Sequence, residues 1–412
     1  MTSGTARART TPVPPVGAGW LITFVLAMTG VAAGWFGPLQ ILLPAQAEAF
    51  EAAGAGSKEA ALALVSGTGA LVSLIANPLW GVLSDRLRSS RGPRVPVILA
   101  GTAIGVLGLL ILATAPSVGW MVTGWACAQL GLNGPAAAYA ALIADRVPPS
   151  QRGLVGALFG IAQTLGVVTG TALAVASDSS GAGYVALAIA VPALGAGWLL
   201  AQGRQSGDFG TALPPRVAAR RLRGGLPPLF AWAWGMRFLM NFGNALVLLY
   251  LYFYLDDAVG VEDTETAVLL VTVLVVLIAA ATAGVAGGLS DRLRRRRAFA
   301  VAAAVATVAG TVTLAALPPY PVVIGAASAL GCGWGLYLAV DMALVTATLT
   351  DPTTHATMLG IANIAAVLPQ VAAPLVAAAL VAGPLGYSGL YGLAALTAAA
   401  AVLCVARLPD RY

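Results

Sequence analysis

Two formal charges lie deep inside long apolar runs of this chain, Arg237 and Asp341. Such groups are expensive in hydrocarbon and face either a partner or a wet cavity. Arg237 stands about ten residues after the start of its run, and Asp341 about ten before Asp351 at the end of its own. At about 1.5 Å per residue both reach roughly 15 Å, the middle of a hydrocarbon layer about 30 Å thick. Their neighbours continue the pattern. Arg237, Asn241 and Asn244 share one helix face at i, i+4, i+7, and Trp334, Tyr337 and Asp341 share another at i, i+3, i+7. Gln129 with Asn133, and Asn363 with Gln370, add amides on one face each of two further segments. These residue types suit recognition of a polar solute, with Asp341 binding substrate or a proton. The same residues also read as a structural Arg237–Asp341 pair tying two helices together. A pair that breaks during a working cycle would serve both roles.

Other chemistries find no support. An enzyme should gather acids, bases or metal ligands at one depth, and Asp341 is the only carboxylate so placed. Cys127, Cys332 and Cys404 sit in apolar segments without metal-ligand spacing, which suits packing better than a disulfide or a metal site. The sole histidine, His355, lies beside Asp351 and Thr354 in a polar stretch and reads as solvated. No glycine-rich loop with a lysine offers a phosphate cradle. The expectation is therefore no catalytic residue, no metal and no cofactor, with energy drawn from a gradient of protons or another cation.

The elements that carry these residues follow from composition. Of the 412 residues, 59% are hydrophobic and only 9% charged, against roughly 25% charged in soluble domains, and the mean hydropathy is +0.87. Twelve apolar segments cover 18–45, 60–83, 95–115, 118–144, 153–176, 183–201, 227–255, 266–288, 298–317, 320–349, 356–382 and 387–407. Only helices and closed barrels satisfy their backbone groups in lipid. Runs such as Val268–Ala283 are apolar on every face and lack the alternation of a barrel strand. The fold class is thus an all-α integral membrane protein of twelve transmembrane helices. The first segment shows no clear cleavage site and is expected to be retained. Trp20, Trp120, Tyr184, Tyr320 and Tyr387 lie near segment ends and read as interfacial belt residues.

Charge placement sets the orientation. Twenty of the 22 Lys and Arg fall on one side of the alternating topology, at the termini and around 86–94, 146–152, 204–223 and 292–297. The other side holds Lys58 among Glu48, Glu51, Glu59, Asp178, Asp256, Asp257, Glu262, Asp263 and Glu265. By the positive-inside rule both termini are cytoplasmic. The net charge of +6 is therefore a topology signal, and no nucleic-acid partner is expected. The expected setting is the cytoplasmic membrane, crossed many times by a monomer whose partners are the bilayer and a small-molecule substrate.

The chain also repeats itself. Gly81-Val-Leu-Ser-Asp85-Arg86-Leu-Arg88 returns as Gly287-Gly-Leu-Ser-Asp291-Arg292-Leu-Arg294, and Asp145 returns as Asp351, both 206 residues on. Two landmarks in one register indicate duplication, and six spans per half make the halves parallel repeats. The organisation is a tail (1–17), a six-helix half (18–201), a linker (202–226), a second six-helix half (227–407) and a short tail (408–412).

These residues carry a family resemblance. Gly81-x-x-x-Asp85-Arg86 followed by Arg91-Gly92-Pro93-Arg94 resembles the loop 2–3 signature of the major facilitator superfamily. Its longer Asp-Arg to Gly gap is similar to the sucrose and glycoside–cation symporter branch, as is Asn133-Gly134-Pro135 leading to Asp145-Arg146 and Arg152-Gly153. Pro93 stands where a second basic residue is usual, and the acidic cation-binding residues of melibiose-type symporters are missing from spans two and four. The resemblance implies a central cavity lined by helices one, four, seven and ten. It also implies a latch between the halves on the cytoplasmic side, carried by Gly81, Asp85, Arg86, Arg94, Asp145, Arg152, Gly287, Asp291 and Arg292. Read without the resemblance, the arginines are plain topology determinants. The expected function is a proton-coupled secondary transporter working by alternating access on a small, sugar-like polar solute. The alternatives are an exporter of amphipathic small molecules and, further off, a receptor or membrane enzyme.

Overall fold

The structure is a computed structural model that describes residues 14–86, 94–148, 150–202, 226–349 and 355–408. Twelve helical runs account for them: α1 (Ala18–Ala52), α2 (Lys58–Arg86), α3 (Val95–Ala113), α4 (Val118–Arg146), α5 (Arg152–Val175), α6 (Ser180–Gln202), α7 (Pro228–Leu249 with its continuation Leu251–Val259), α8 (Thr264–Leu293), α9 (Arg296–Ala315), α10 (Tyr320–Ala347), α11 (His355–Val381) and α12 (Gly386–Ala406). Ten are individually long and apolar enough to cross a membrane, and the bent α7 makes an eleventh. The twelfth, α4, has 29 residues, ample for a span. Gln129, Asn133 and Pro135 dilute its apolar character, because it spends part of its length on polar contacts inside the molecule.

The first helix of each half is irregular toward the end that carries Lys58. In α1 the turn Pro38–Leu42 widens to π geometry, which accommodates a proline that has no N–H to donate. In α7 the two segments meet at 50° around Tyr250. The α7 continuation stops at Gly260, whose φ of +70° suits glycine. The next helix is capped by the Asp263 side chain, which accepts from the Thr266 backbone N–H at 3.0 Å.

Packing follows an internal two-fold. Within the first half α1 packs on α5 and α6, α2 on α4, α3 on α4 and α6; within the second, α7 packs on α11 and α12, α8 on α10, α9 on α10 and α12. The halves meet where α2 packs on α11 and where α8 packs on α5, each contact being the other's counterpart. Small residues set the closest approaches. Gly131 lies against the Gly105 backbone, as Gly333 lies against Thr307 and Ala303; Gly108 lies against Ala128 and Gly124, as Gly310 lies against Leu330 and Ala326. These matches run 202 residues apart, four fewer than the 206 kept by the motif at Gly81 and Gly287. The longer stretch between α2 and α3 (Arg86 to Val95, against Leu293 to Arg296) absorbs the difference. The expected equivalence of Asp145 and Asp351 therefore does not hold within α4 and α10, and Asp351 lies outside the described residues.

The apolar core is shared unequally. One core runs through the first half and, toward the Lys58 end, continues into α7, α8, α11 and α12 at residues such as Phe253, Val271, Ala377 and Tyr391. Toward the arginine-rich end the second half keeps a core of its own, around Phe230, Met236, Tyr337, Leu344 and Cys404. Among the described residues, the apolar core joins the halves at the Lys58 end and is not continuous between them at the other. Of the expected belt residues, Tyr184 belongs to this interior, whereas Tyr387 is half-buried at its edge. Tyr184 is fully buried and donates to Gln46 Oε1 at 3.1 Å, and Tyr387 donates to Asp257 Oδ2 at 2.5 Å. A tyrosine near a helix end reads alike from sequence whether its polar tip meets headgroups or a neighbouring helix.

Candidate functional site

The two intramembrane charges find each other. Arg237 Nη1 on α7 pairs with Asp341 Oδ2 on α10, joining residues 104 apart in sequence, and also points at Met342 Sδ (3.1 Å). One turn along α7, Asn241 Nδ2 donates to the Tyr337 hydroxyl at 2.8 Å and to its own-helix Arg237 carbonyl at 2.8 Å. The faces expected from spacing are therefore the faces that meet. Asp341 is only 6% exposed, and burial of an unpaired carboxylate is prohibitive, so the guanidinium is what holds it there. The pair is incomplete all the same. Asp341 Oδ1 and Arg237 Nε are buried without a hydrogen-bond partner among the described residues, one spare acceptor and one spare donor. A bidentate arginine–carboxylate fork would use both.

Trp334 packs on Tyr337 with ring centroids 5.0 Å apart. Trp334 and Asn244 lie further toward the Lys58 end, where with Met240 and Leu330 they line a narrow apolar cleft of about 30 Å³. Gln129 and Asn133 form a separate, uncharged cluster. Ser73 on α2 donates to Gln129 Oε1 (2.7 Å), and Asn133 Nδ2 donates to Ser73 Oγ (2.9 Å) and to the Gln129 carbonyl (2.7 Å). Asn363 and Gln370 are exposed on α11 and make no hydrogen bond among the described residues. The structure does not bring them to the pair.

The expected latch resolves only in part. Arg94 is buried, donating to Asp145 Oδ2 (2.9 Å) and Ser84 Oγ (2.8 Å), so it ties α2 to α4 inside one half. Arg152 donates to the Val147 carbonyl at 3.1 Å, capping its own turn. Gly81 and Gly287 would each accept a Cβ with nothing within 4 Å, so neither is a close-packing site here. Arg292 is exposed. The side chains of Asp85, Arg86, Asp291 and His355, and all of residues 87–93, lie outside the described residues.

Two elements of the interface escape a sequence reading. Lys58, at the start of α2, is 94% buried and reaches Asp257 (2.7 Å), Glu48 (3.0 Å) and Asp256 (3.7 Å), so a single cation binds carboxylates of both halves. Its signal was its isolation, one lysine among nine acids on its side. Gln40, on the widened turn of α1, accepts through Oε1 from Thr171 on α5 (3.1 Å) and Thr272 on α8 (3.0 Å), bridging the halves. A buried amide beside a proline in an otherwise apolar run was the available hint. Glu48, Asp256 and Asp257 bring their carboxylates close enough to hold a metal ion, but Lys58 supplies the cation in this arrangement.

Comparison with known proteins agrees with this geometry. A model of the Major Facilitator Superfamily matches residues 19–349 and 233–412. No curated protein sequence matches significantly. Among solved structures, a bacterial homologue of the human lysosomal transporter Spinster, in an inward-facing and occupied conformation, is similar with a TM-score of 0.66 at 16% identity, over 96% of this chain and 97% of that one. Its inward-facing, unoccupied form gives 0.64 at 15% identity, over 95% and 96%. A substituted form of the nucleoside transporter NupG gives 0.70 at 11% identity, over 94% and 99%. At these identities the likeness is one of fold.

Proposed function

The chain belongs to the Major Facilitator Superfamily, a transporter rather than an enzyme, and on that premise we propose that it is a proton-coupled secondary transporter of a small polar solute. It works by alternating access, with Arg237 and Asp341 at the centre of its site. The carrying observation is the buried, half-satisfied pair between α7 and α10. A carboxylate with a guanidinium beside it is stable ionised; separated from it in apolar surroundings, it is stable only as the neutral acid. Substrate that engages Arg237 draws it from Asp341 and favours proton uptake there, while loss of substrate restores the pair and expels the proton. Asn241 and Tyr337, bonded to each other one turn from the pair, add a donor and an acceptor for a hydroxylated solute. The sugar-like substrate class rests on the resemblance of the loop motifs.

The packing supports a state open toward the arginine-rich side, which the charge bias makes cytoplasmic in a bacterial-type inner membrane, with both termini inside. Lys58 with its carboxylates and Gln40 with its threonines then close the outer side. The decisive measurement uses protein reconstituted into vesicles under an imposed proton gradient, screened with labelled sugars and amino acids. Uphill accumulation of one of them by wild type is expected. Asp341→Asn is expected to abolish accumulation while keeping substrate exchange, because the amide resembles the protonated acid. Wild-type, pH-driven accumulation by that variant would remove Asp341 from the coupling step.

The second reading, an exporter of amphipathic molecules, draws on the apolar cleft that continues from Asn244 and Trp334. Accumulation of an amphiphile inside inverted vesicles, with no sugar flux, would select it.

A further inference from the structure

The first half contains a cavity that the transport site does not use. It measures about 310 Å³ and lies between α1, α3, α4 and α6, with Val31, Leu99, Ala103, Tyr139, Pro192 and Gly195 in its wall. That is the lower end of the size range of small-molecule sites, which are mostly apolar with a few placed polar groups. Leu99, Ala103 and Pro192 are exposed at its mouth, whereas Val31, Tyr139 and Gly195 are buried at its floor. The helices forming the mouth, α3 and α6, pack against helices of their own half. The cavity therefore opens sideways onto the bilayer, away from the contact between the halves.

Its floor is not inert. Tyr139 is 1% exposed, and its ring is fixed edge-on by Phe24 at 6.1 Å and Trp198 at 5.2 Å between centroids. Its hydroxyl makes no hydrogen bond among the described residues and faces Gly195, where an added Cβ would stand 3.8 Å from the oxygen. A buried tyrosine hydroxyl normally finds a partner, so this one is a donor aimed into an apolar cleft. The place is also a counterpart of the transport site. At the 202-residue offset of the α3–α4 contacts Tyr139 answers to Asp341, and at the 206-residue offset of the loop motif Val31 answers to Arg237. Where the second half holds an ion pair, the first holds a cleft with one hydroxyl.

Depth narrows the ligand. Tyr139 lies seven residues before Arg146, the end of α4, hence roughly 10 Å into the hydrocarbon at 1.5 Å per residue. Ester groups of phospholipids lie in the interfacial layer outside a core about 30 Å thick, too far out to reach this hydroxyl. We propose that the cleft is a second binding site, which takes from the bilayer a small apolar molecule bearing one hydrogen-bond acceptor and holds it by donation from Tyr139.

Trp198, touching Tyr139, gives the readout. The probe is 4-bromoacetophenone, an aryl ketone whose bromine quenches tryptophan fluorescence, added to the purified full chain in lipid nanodiscs. The Trp198 contribution is the difference between wild type and Trp198→Phe. Saturable quenching of that contribution is expected, weakened roughly 3- to 10-fold in apparent affinity by Tyr139→Phe, the loss of one hydrogen bond. Gly195→Leu should abolish it by filling the cleft, and Ala103→Phe should do the same at the exposed mouth should the glycine variant fold poorly. The isosteric 1-bromo-4-ethylbenzene, lacking the acceptor, should bind more weakly and ignore Tyr139→Phe. Unsaturable quenching, or quenching indifferent to both cleft-filling variants, would overturn the site. Nanodiscs made with chain-brominated phosphatidylcholine distinguish the other occupant: full Trp198 quenching by the lipid, undisplaced by unbrominated acetophenone, would make the cleft a seat for acyl chains and defeat the proposal.

Discussion

The second half carries a guanidinium and a carboxylate inside the bundle, where the matching positions of the first half hold Val31 and Tyr139, and the nearest polar cluster on α4 is the amides of Gln129 and Asn133 with Ser73 beside them. At the Lys58 end the assignment reverses. The first half begins α2 with Lys58, which binds Glu48, Asp256 and Asp257; the second begins α8 at the matching position with Thr264, whose hydroxyl donates to Asp256 Oδ1 at 3.0 Å. Helix packing has kept its two-fold, and the charges have not. The buried cation belongs to the second half at the Arg237 site and to the first half at the Lys58 end, where both halves supply carboxylates. A symmetric arrangement would place two mid-membrane pairs and two end cations in one chain, doubling a desolvation cost of several kcal/mol per buried ion. One charged site for the solute and one charged seal between the halves gives the cycle two distinct points of control.

Breaking the mid-membrane pair has the largest expected effect. Arg237→Ala leaves Asp341 buried and alone, a change that costs about 3–5 kcal/mol where an ion pair is buried. Both accumulation and exchange should fall to background, and thermal inactivation of the purified protein should occur at lower temperature. Arg237→Ala with Asp341→Asn should recover much of the stability and none of the uphill transport. A double variant no more stable than Arg237→Ala would mean that the two side chains are not energetically paired, and the halves would differ less than their geometry indicates.

The seal should answer more mildly, because its loss moves a conformational balance rather than removing the site. Lys58→Gln leaves three carboxylates facing one another across the joint between the halves and should favour opening at that end. A single cysteine at Thr272, in a chain cleared of Cys127, Cys332 and Cys404, should then react with a membrane-impermeant maleimide at least tenfold faster from that side, a bias of about 1.4 kcal/mol. Thr264→Val, the equivalent change in the other half, should alter labelling little. Equal responses from the two would restore the symmetry that the ion pairs deny.

How much of this could be read beforehand depended on what each residue needs for its meaning. Arg237 and Asp341 stood out because a formal charge in an apolar run is rare; counting back from Asp351 gave both the same depth, but α10 ends at Ala347, which leaves Asp341 six residues from its helix end against nine for Arg237. Spacing put Asn241 on the face of Arg237 and Tyr337 on the face of Asp341, and the structure adds the bond between them. Lys58 and Gln40 act through partners 199 and 232 residues away, a distance over which no local pattern speaks. The shift from 206 to 202 residues between α3–α4 and α9–α10 was hidden by the agreement of two aspartates at one offset. Asn363 and Gln370 had the right residue type and spacing, but they stay exposed on α11 and make no hydrogen bond among the described residues.

The smallest expected effect tests the neutral side of the comparison. Ser73 sits between Gln129 and Asn133, accepting from one amide and donating to the other. Ser73→Ala removes that link without adding or stranding a charge, and hydrogen bonds between membrane helices are worth on average about 0.6 kcal/mol. Such a loss changes an equilibrium about threefold. If the first half contributes only positioning of the solute, KM should rise by about that factor with the accumulation ratio at a fixed proton gradient unchanged, since that ratio is set by coupling and not by affinity. Asn133→Ala, which loses its bond to Ser73 and its back-bond to the Gln129 carbonyl together, should raise KM further and again leave the ratio alone. A drop in the ratio in either variant would show that proton movement passes through the amide cluster as well. The division between an ionic half that couples and a neutral half that binds would then fail at the place where it is cheapest to test.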